Sequence, residues 1–305
     1  MDNSTWKTIR PEETSLGSFH SYMLAAVGPR PIAFVSTVDL EGRPNLAPFS
    51  FFNAFGTNPA TLVFSPARRG KDNSTKHTLH NVEAVPECVI NMVNYAMVEQ
   101  VSLASTDFEE GVNEFEKAGF TQIESQFVRP FRVGESPAAF ECKVEEVIKT
   151  GDQGGAGNLV VCRILAVHFQ QQLINEEGKV NQFEMDLVGR MGYEYYCRAN
   201  EQSIFEVPKP KTRDILGFDG LPVEIRESDY LTGNQLARLA GCKALFSEAE
   251  LNQYLQSGQL KNITFERLIE NAKKQLESLD IYGAMISVQA GYLLKNQNNP
   301  VTHPL

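Results

Sequence analysis

Four cations, Arg68, Arg69, Lys71 and Lys76, fall within nine residues of a chain whose 38 acids outnumber its 28 bases. Gly70 stands among them and lets the backbone wrap, and Ser74 or Thr75 can cap a helix running from Lys76 to Val85. A helix start presents unpaired N–H groups and the positive end of its dipole, so an anion fits there. Arginine adds a bidentate fork and lysine a point charge. The chemistry these residues suit is phosphate binding. A solvated loop whose charges serve only solubility is the competing reading. The position of the cluster, between the end of a strand and the opening of a helix, favours phosphate.

The elements that must hold this loop are legible around it. Ile32 to Val38 is an apolar and Ser/Thr run between Pro31 and Asp39, and reads as a strand. Glu41-Gly42 gives a tight connection to a second strand over Asn45 to Phe52, and Ala60 to Ser65 is a third. After the basic loop, Glu87 to Val93 reads as a strand, followed by helices over Asn94 to Ala104 and Gly111 to Gly119. Gln122 to Pro137 is irregular. Two long strands, Ala139 to Thr150 and Asn158 to Gln172, are joined by a Gly-rich turn. At least six strands with short connections and two or three inserted helices favour an antiparallel, closed β-barrel over a parallel sheet. Met1 to Pro29 is a lead-in whose Phe19 to Val27 segment is expected to pack under the barrel as a short helix or strand.

Past Arg198 the character changes. Val207 to Arg213 is a Pro- and Lys-punctuated linker. Thr232 with Gln235 and Ser247 with Glu250 have capping-box spacing, so a helix is expected at each. Thr264 to Lys295 predicts one long helix or two abutting ones, with Leu268, Ala272, Leu276 and Leu279 as its apolar stripe. The fold class is therefore mainly β with added helices (α+β): a barrel domain over residues 1–205 and a helical C-terminal extension over 206–305. The extension is expected to wrap the barrel or a second subunit.

At 42% apolar and 22% charged, the 305 residues suffice for a substantial core. A net charge of −10 argues against nucleic acid or an anionic membrane as the main partner. No apolar run has the length of a membrane-spanning helix, and the opening MDNSTWKTIRPEE does not read as a signal peptide. Five scattered cysteines read as reduced thiols of a cytoplasmic protein. The scattered histidines lack the spacing of a metal-ligand pair, so no metal site is expected. His168, late in an apolar strand, is kept as a weak catalytic candidate beside its plainer reading as a core or interface group.

From Gly28 to about Arg198 the chain resembles the flavin reductase-like, FMN-binding split-barrel family. The resemblance is carried by Pro29-Arg30-Pro31, Val35-Ser36-Thr37 and the run Asn45-Leu46-Ala47-Pro48-Phe49-Ser50-Phe51-Phe52-Asn53. It continues in the basic loop leading to Lys76-His77-Thr78 and Asn81, in Val112-Asn113-Glu114-Phe115 with Ala118-Gly119, in Glu141-Cys142 and in Arg190-Met191-Gly192. His77 stands where the family usually has Asp, and Tyr193 where it commonly has a second glycine. The resemblance implies a split β-barrel with FMN in a groove at a homodimer interface. It implies a phosphate held by Arg68 or Arg69, Lys76 and the hydroxyl of Thr75 or Thr78. The flavin ring would lie along Ala47 to Asn53, with Pro48, Ser50, Phe51 and Asn53 beside it and Thr37 contacting ribityl or ring. Ser50 and Asn53 could instead pair with the barrel's own backbone, and Thr37 could be an ordinary strand residue.

The activity so implied is an FMN-dependent oxidoreductase taking hydride from NADH or NADPH and passing electrons to free flavin, a partner monooxygenase, ferric iron or a small acceptor. No protein acid or base is required for the hydride step. An FMN-binding electron carrier without its own NAD(P)H activity is the alternative, and a non-catalytic flavin sensor a third.

Overall fold

The computed structural model describes residues 5–210, 212–257 and 263–298, so that Met1 to Ser4 of the lead-in and Lys211 of the linker lie outside the described residues. The chain separates into two compact units, Met1–Phe205 and Glu206–Leu305.

The first unit opens with helix α1 (Leu16–Ala26), capped by the Ser15 side chain and without a buried residue. The segment is thus a helix, but it is not packed under the barrel: Leu16, Tyr22 and Met23 are exposed. Strands β1 (Ala33–Val38), β2 (Pro44–Phe49), β3 (Phe52–Thr57) and β4 (Ala60–Phe64) follow. Helix α2 (His77–Ala84) leads to β5 (Glu87–Met92). Helices α3 (Val98–Ala104) and α4 (Glu114–Ala118) then precede a two-stranded ribbon, β6 (Gln122–Ile123) with β7 (Arg132–Val133). The long strands β8 (Ala138–Lys149) and β9 (Asn158–Phe169) and a second ribbon, β10 (Val188–Arg190) with β11 (Tyr196–Arg198), complete the unit.

One seven-stranded sheet in the order β2-β1-β5-β8-β9-β4-β3 organises these elements, and every pairing within it is antiparallel. β2 and β3 are consecutive in the chain yet occupy opposite edges. The strand pattern by itself predicts one strand from Asn45 to Phe52 in a closed barrel, whereas the family resemblance implies a split one. The chain instead breaks at Ser50-Phe51, two residues after Pro48, and starts a separate strand. Proline has no N–H to donate to a ladder, which suits the end of an edge strand. The barrel is split there.

All six residues of β1 are buried, because both of its faces are covered. Ala33 and Val35 pack with Leu79 and Val82 of α2 and with Cys88, Cys142 and Cys162 inside the barrel. Phe34 points the other way, into a second cluster with Leu46, Met97, Val101 and Phe115, its ring 5.1 Å from that of Phe120. Gly119 closes α4 in the left-handed region at φ 71°, where glycine carries no steric cost. The cysteines are all thiols. Four are buried and Cys197 is half-buried.

The second unit contains α5 (Val223–Arg226), α6 (Gly233–Ala240), α7 (Glu248–Gln256), α8 (Phe265–Glu277) and α9 (Ile281–Asn298). Both capping boxes form, Thr232 with Gln235 and Ser247 with Glu250. The last long segment is two helices, broken where Leu279 takes a positive φ of 62°. Leu239, Ala272, Leu276, Met285 and Val288 form this unit's own core.

Candidate functional site

The basic loop is built by contacts with the Gly-rich turn between β8 and β9. The Arg68 N–H donates to the Ala156 carbonyl at 2.9 Å, and the Gly155 N–H returns a bond to the Arg68 carbonyl at 3.0 Å. A Cβ on Gly154 would stand 3.1 Å from the Arg69 carbonyl oxygen and 3.2 Å from the Gly70 Cα. That approach needs a glycine. Asn73, at φ 60°, donates from its side chain to the Asp152 carbonyl at 2.9 Å.

These contacts divide the four cations. Arg68 turns back on the loop, its Nε and Nη2 donating to the Asn73 side chain and carbonyl, each at 2.7 Å. Lys71 is 70% exposed and lies 3.4 Å from Asp107. Arg69, only 13% exposed, and Lys76, half-buried, line a small cleft of about 60 Å³. The other walls of this cleft include Asn45, Pro48, His77, Thr78, Asp107 and Glu114. Convergence is thus limited to two of the four.

Arg69 bonds to the Asp107 carboxylate, to the Ser74 hydroxyl at 3.2 Å and to the Thr75 carbonyl. The hydrogen bond from Arg69 holds the Asp107 carboxyl below its ordinary value. The Lys76 ammonium has no hydrogen bond or ion pair with any described residue. Burial lowers its pKa first, and the charge of Arg69 lowers it further. His77 is lowered for the same two reasons, in the same order. Two cations and a histidine that resists protonation line this space, and among the described residues Asp107 is the carboxylate bonded to Arg69.

The helix start differs from the sequence reading. Lys76 itself occupies the N-cap position of α2 and no side chain caps it. Ser74 and Thr75 are otherwise engaged: the Ser74 hydroxyl donates to Asp72 at 2.6 Å, and the Thr75 hydroxyl pairs with the exposed His80 ring. The first N–H groups of α2 therefore have no side-chain cap. Leu79 and Val82, packed into the barrel core, fix the direction of that helix end.

Thr37 and Thr78 are both buried and belong to a polar network beneath the cleft. The Thr78 hydroxyl donates to Asn45 Oδ1 at 2.8 Å, and Asn81 Nδ2 donates to the Thr37 hydroxyl at 3.0 Å. Glu114 closes the network, accepting from Asn45 Nδ2 at 2.8 Å and from the Leu46 N–H at 2.9 Å. Burial raises the Glu114 carboxyl above its ordinary value. The sequence reading matches Asn45 and Glu114 only as parts of motifs, without a site role, and does not single out Asp107. Nothing local in the sequence gives any of the three a site role, because only the fold brings them together.

A second cleft, of about 230 Å³, adjoins the first, and both are lined by Pro48 and Ser105. Ile32, Ser50, Val101, Ser102, Arg190 and Tyr196 complete it. Ser50 accepts from Arg30 Nε at 3.4 Å. Arg30 is 5% exposed and also donates to the carbonyls of Leu24, Val27 and Met191, tying the end of α1 to the Arg190 turn. Tyr193, standing where a second glycine is common, has a positive φ of 54°. Phe51 is half-buried, with its ring 6.2 Å from that of His20. Asn53 is exposed on the edge strand β3, its side chain accepting from the Ala54 N–H. Neither residue lines either of these two clefts.

His168 is also outside both clefts. Its Nε2 lies 2.8 Å from an oxygen of the fully buried Glu141, which also accepts from the backbone N–H groups of Gln126 and Phe127. Its partner is thus a buried carboxylate that also binds backbone N–H groups. No cluster of metal-ligating side chains occurs among the described residues, and no described helix is long and apolar enough to cross a membrane.

A split antiparallel barrel with two adjoining clefts, one cationic and set at a helix start, defines the class of protein. The chain belongs to the flavin reductase-like domain family, whose model matches residues 27–184, and its barrel unit is the split barrel of that family. An uncharacterized protein of Aquifex aeolicus is 35% identical over 188 residues, 62% of this chain and 93% of its own. Nitrilotriacetate monooxygenase component B from Bacillus cereus superposes with a TM-score of 0.62 at 26% identity, covering 66% of this chain and 98% of that one. The 2-nitrobenzoate 2-nitroreductase of Pseudomonas fluorescens gives 0.58 at 30% identity, covering 66% and 96%.

Proposed function

We propose that the chain is an FMN-dependent oxidoreductase that takes hydride from NADH or NADPH and delivers electrons to an acceptor. The observation that carries the reading is Lys76, a half-buried ammonium without a bonded partner among the described residues, beside Arg69 at an uncapped helix start. A buried cation without a bonded anion is costly, and a phosphate dianion would relieve that cost. In this reading Arg69, Lys76 and the first N–H groups of α2 hold the phosphate of FMN. The shared wall at Pro48 and Ser105 carries the ribityl chain across, and Ser50 lies beside the ring in the larger cleft. Thr37 and Thr78 then act from below, by fixing Asn45, and Arg68 acts by shaping the loop.

The bound flavin supplies the electron chemistry, so the protein's tasks are to grip, orient and exclude water. A homodimer accords with the apolar residues Tyr22, Met23, Phe55 and Tyr195, which a single chain leaves exposed. The likeness to a monooxygenase component and to a nitroreductase supports an electron-delivering role. The test is to identify by mass the ligand carried by purified protein, and to follow its absorbance after rapid mixing with each nicotinamide. Rapid bleaching of bound FMN is expected. FMN binding without bleaching would favour the electron carrier, and failure to bind FMN would overturn the reading. Light scattering of the purified protein should give the mass of two chains.

A further inference from the structure

Arg190 lines the larger cleft and is not among the residues of the smaller one, which the cationic pair lines. Its guanidinium carbon lies 4.6 Å from the centre of the Tyr196 ring, and Nη1 reaches the Tyr195 carbonyl only at 3.4 Å. No carboxylate pairs with it among the described residues. Its charged neighbour is another cation, Arg30, which lies outside the cleft lining and whose guanidinium is already engaged by Ser50 and three carbonyls. The remaining polar groups of this cleft are hydroxyls. A half-buried guanidinium held by a ring and one long hydrogen bond, with its remaining donors unassigned, attracts negative charge that develops in the space before it.

We propose, resting on the assignment of the smaller cleft to the phosphate of FMN, that Arg190 sets the reduction potential of the bound flavin by favouring its reduced, anionic form. A phosphate gripped by Lys76 and Arg69 directs the rest of the ligand over Pro48 and Ser105, the residues common to both clefts, and brings the ring in front of Arg190. Uptake of two electrons and one proton by FMN leaves its ring with one negative charge. The oxidised ring carries none. A fixed positive charge at the ring therefore binds the reduced form more tightly than the oxidised one, and by linkage raises the potential in proportion to the logarithm of that affinity ratio. Tyr196 holds the guanidinium plane in place.

The experiment uses the full chain and measures the affinities of wild type, Arg190→Gln and Arg190→Lys for oxidised FMN and for dithionite-reduced FMN at mildly alkaline pH. Dye-coupled potentiometry of the bound flavin accompanies it. Arg190→Gln should weaken reduced FMN about tenfold more than oxidised FMN, which corresponds to a potential lower by about 30 mV. Arg190→Lys, which keeps the charge, should recover most of that shift. Because both affinities are titrated separately, a weakened variant still reports the ratio. Equal weakening of both forms with an unchanged potential would overturn the proposal, and so would a defect confined to the KM for NADPH. Wild-type protein that bound no FMN would refute the underlying assignment instead, a result separate from failure of Arg190 alone.

Discussion

Replacing Lys76 with methionine tests the site at its centre, because it removes the charge while keeping most of the half-buried stem. In the structure this ammonium is already partly stripped of water. Burial and the neighbouring Arg69 push its pKa down, and no described side chain compensates it through a bond. A phosphate entering the cleft would gain a charge-assisted hydrogen bond of about 1.5–3 kcal/mol. At about 1.4 kcal/mol per tenfold, Lys76→Met should raise the Kd for FMN by about 10- to 150-fold. Riboflavin, lacking the phosphate, should lose no more than about twofold, since on these magnitudes it forfeits only apolar contact. Fluorescence quenching of each ligand on titration with protein measures both.

The pH dependence has a definite sign. A lysine whose folded pKa lies below its unfolded value leaves the unfolded chain holding more protons between the two, so the stability of the ligand-free protein rises with pH through that window. FMN affinity should fall through the same window as the ammonium is lost, and Lys76→Met should abolish that fall. An equal loss of FMN and riboflavin affinity in Lys76→Met, or a pH profile identical to wild type, would refute the phosphate assignment.

The two arginines should separate. Arg69→Ala should weaken FMN selectively over riboflavin and flatten the dependence of binding on salt, whereas Arg68→Ala should leave the salt dependence in place and lower stability by about 1–3 kcal/mol through its bonds to Asn73. Glu114→Ala leaves Asn45 Nδ2 and the Leu46 N–H without their acceptor, at about 1–3 kcal/mol each, measurable by urea unfolding. The Glu114 carboxyl is raised by burial, so the stability its protonation contributes is full below its unfolded value and is lost as pH rises through the raised one. The variant's pH–stability curve should lack that fall. His168→Gln should reduce thermal stability and leave FMN affinity within about twofold of wild type. A larger loss of affinity would place that ring at the flavin after all.

Much of this molecule was decided by patterns that act over a few residues. The run from Ile32 to Val38 is apolar at consecutive positions because both faces of its strand are covered, and that is readable without coordinates. The capping boxes at Thr232 and Ser247 needed only their own spacing, since each closes its bonds within one helical turn. The density of cations from Arg68 to Lys76 likewise marks the loop as a candidate anion site.

Tertiary structure decided which of those cations line the cleft. Arg68 and Arg69 are adjacent and chemically identical, yet Asn73 takes one and the cleft the other, because the Gly-rich turn presses on the loop backbone and sets the direction of each side chain. The split after Pro48, the strand from Phe52 to Thr57 and the placement of Asn45 and Glu114 under Thr78 also depended on partners far away in the chain. Local sequence records a residue's own preference for strand, helix or turn. Where its side chain ends up is settled by sheet register and by contacts between segments many residues apart, which no local window contains.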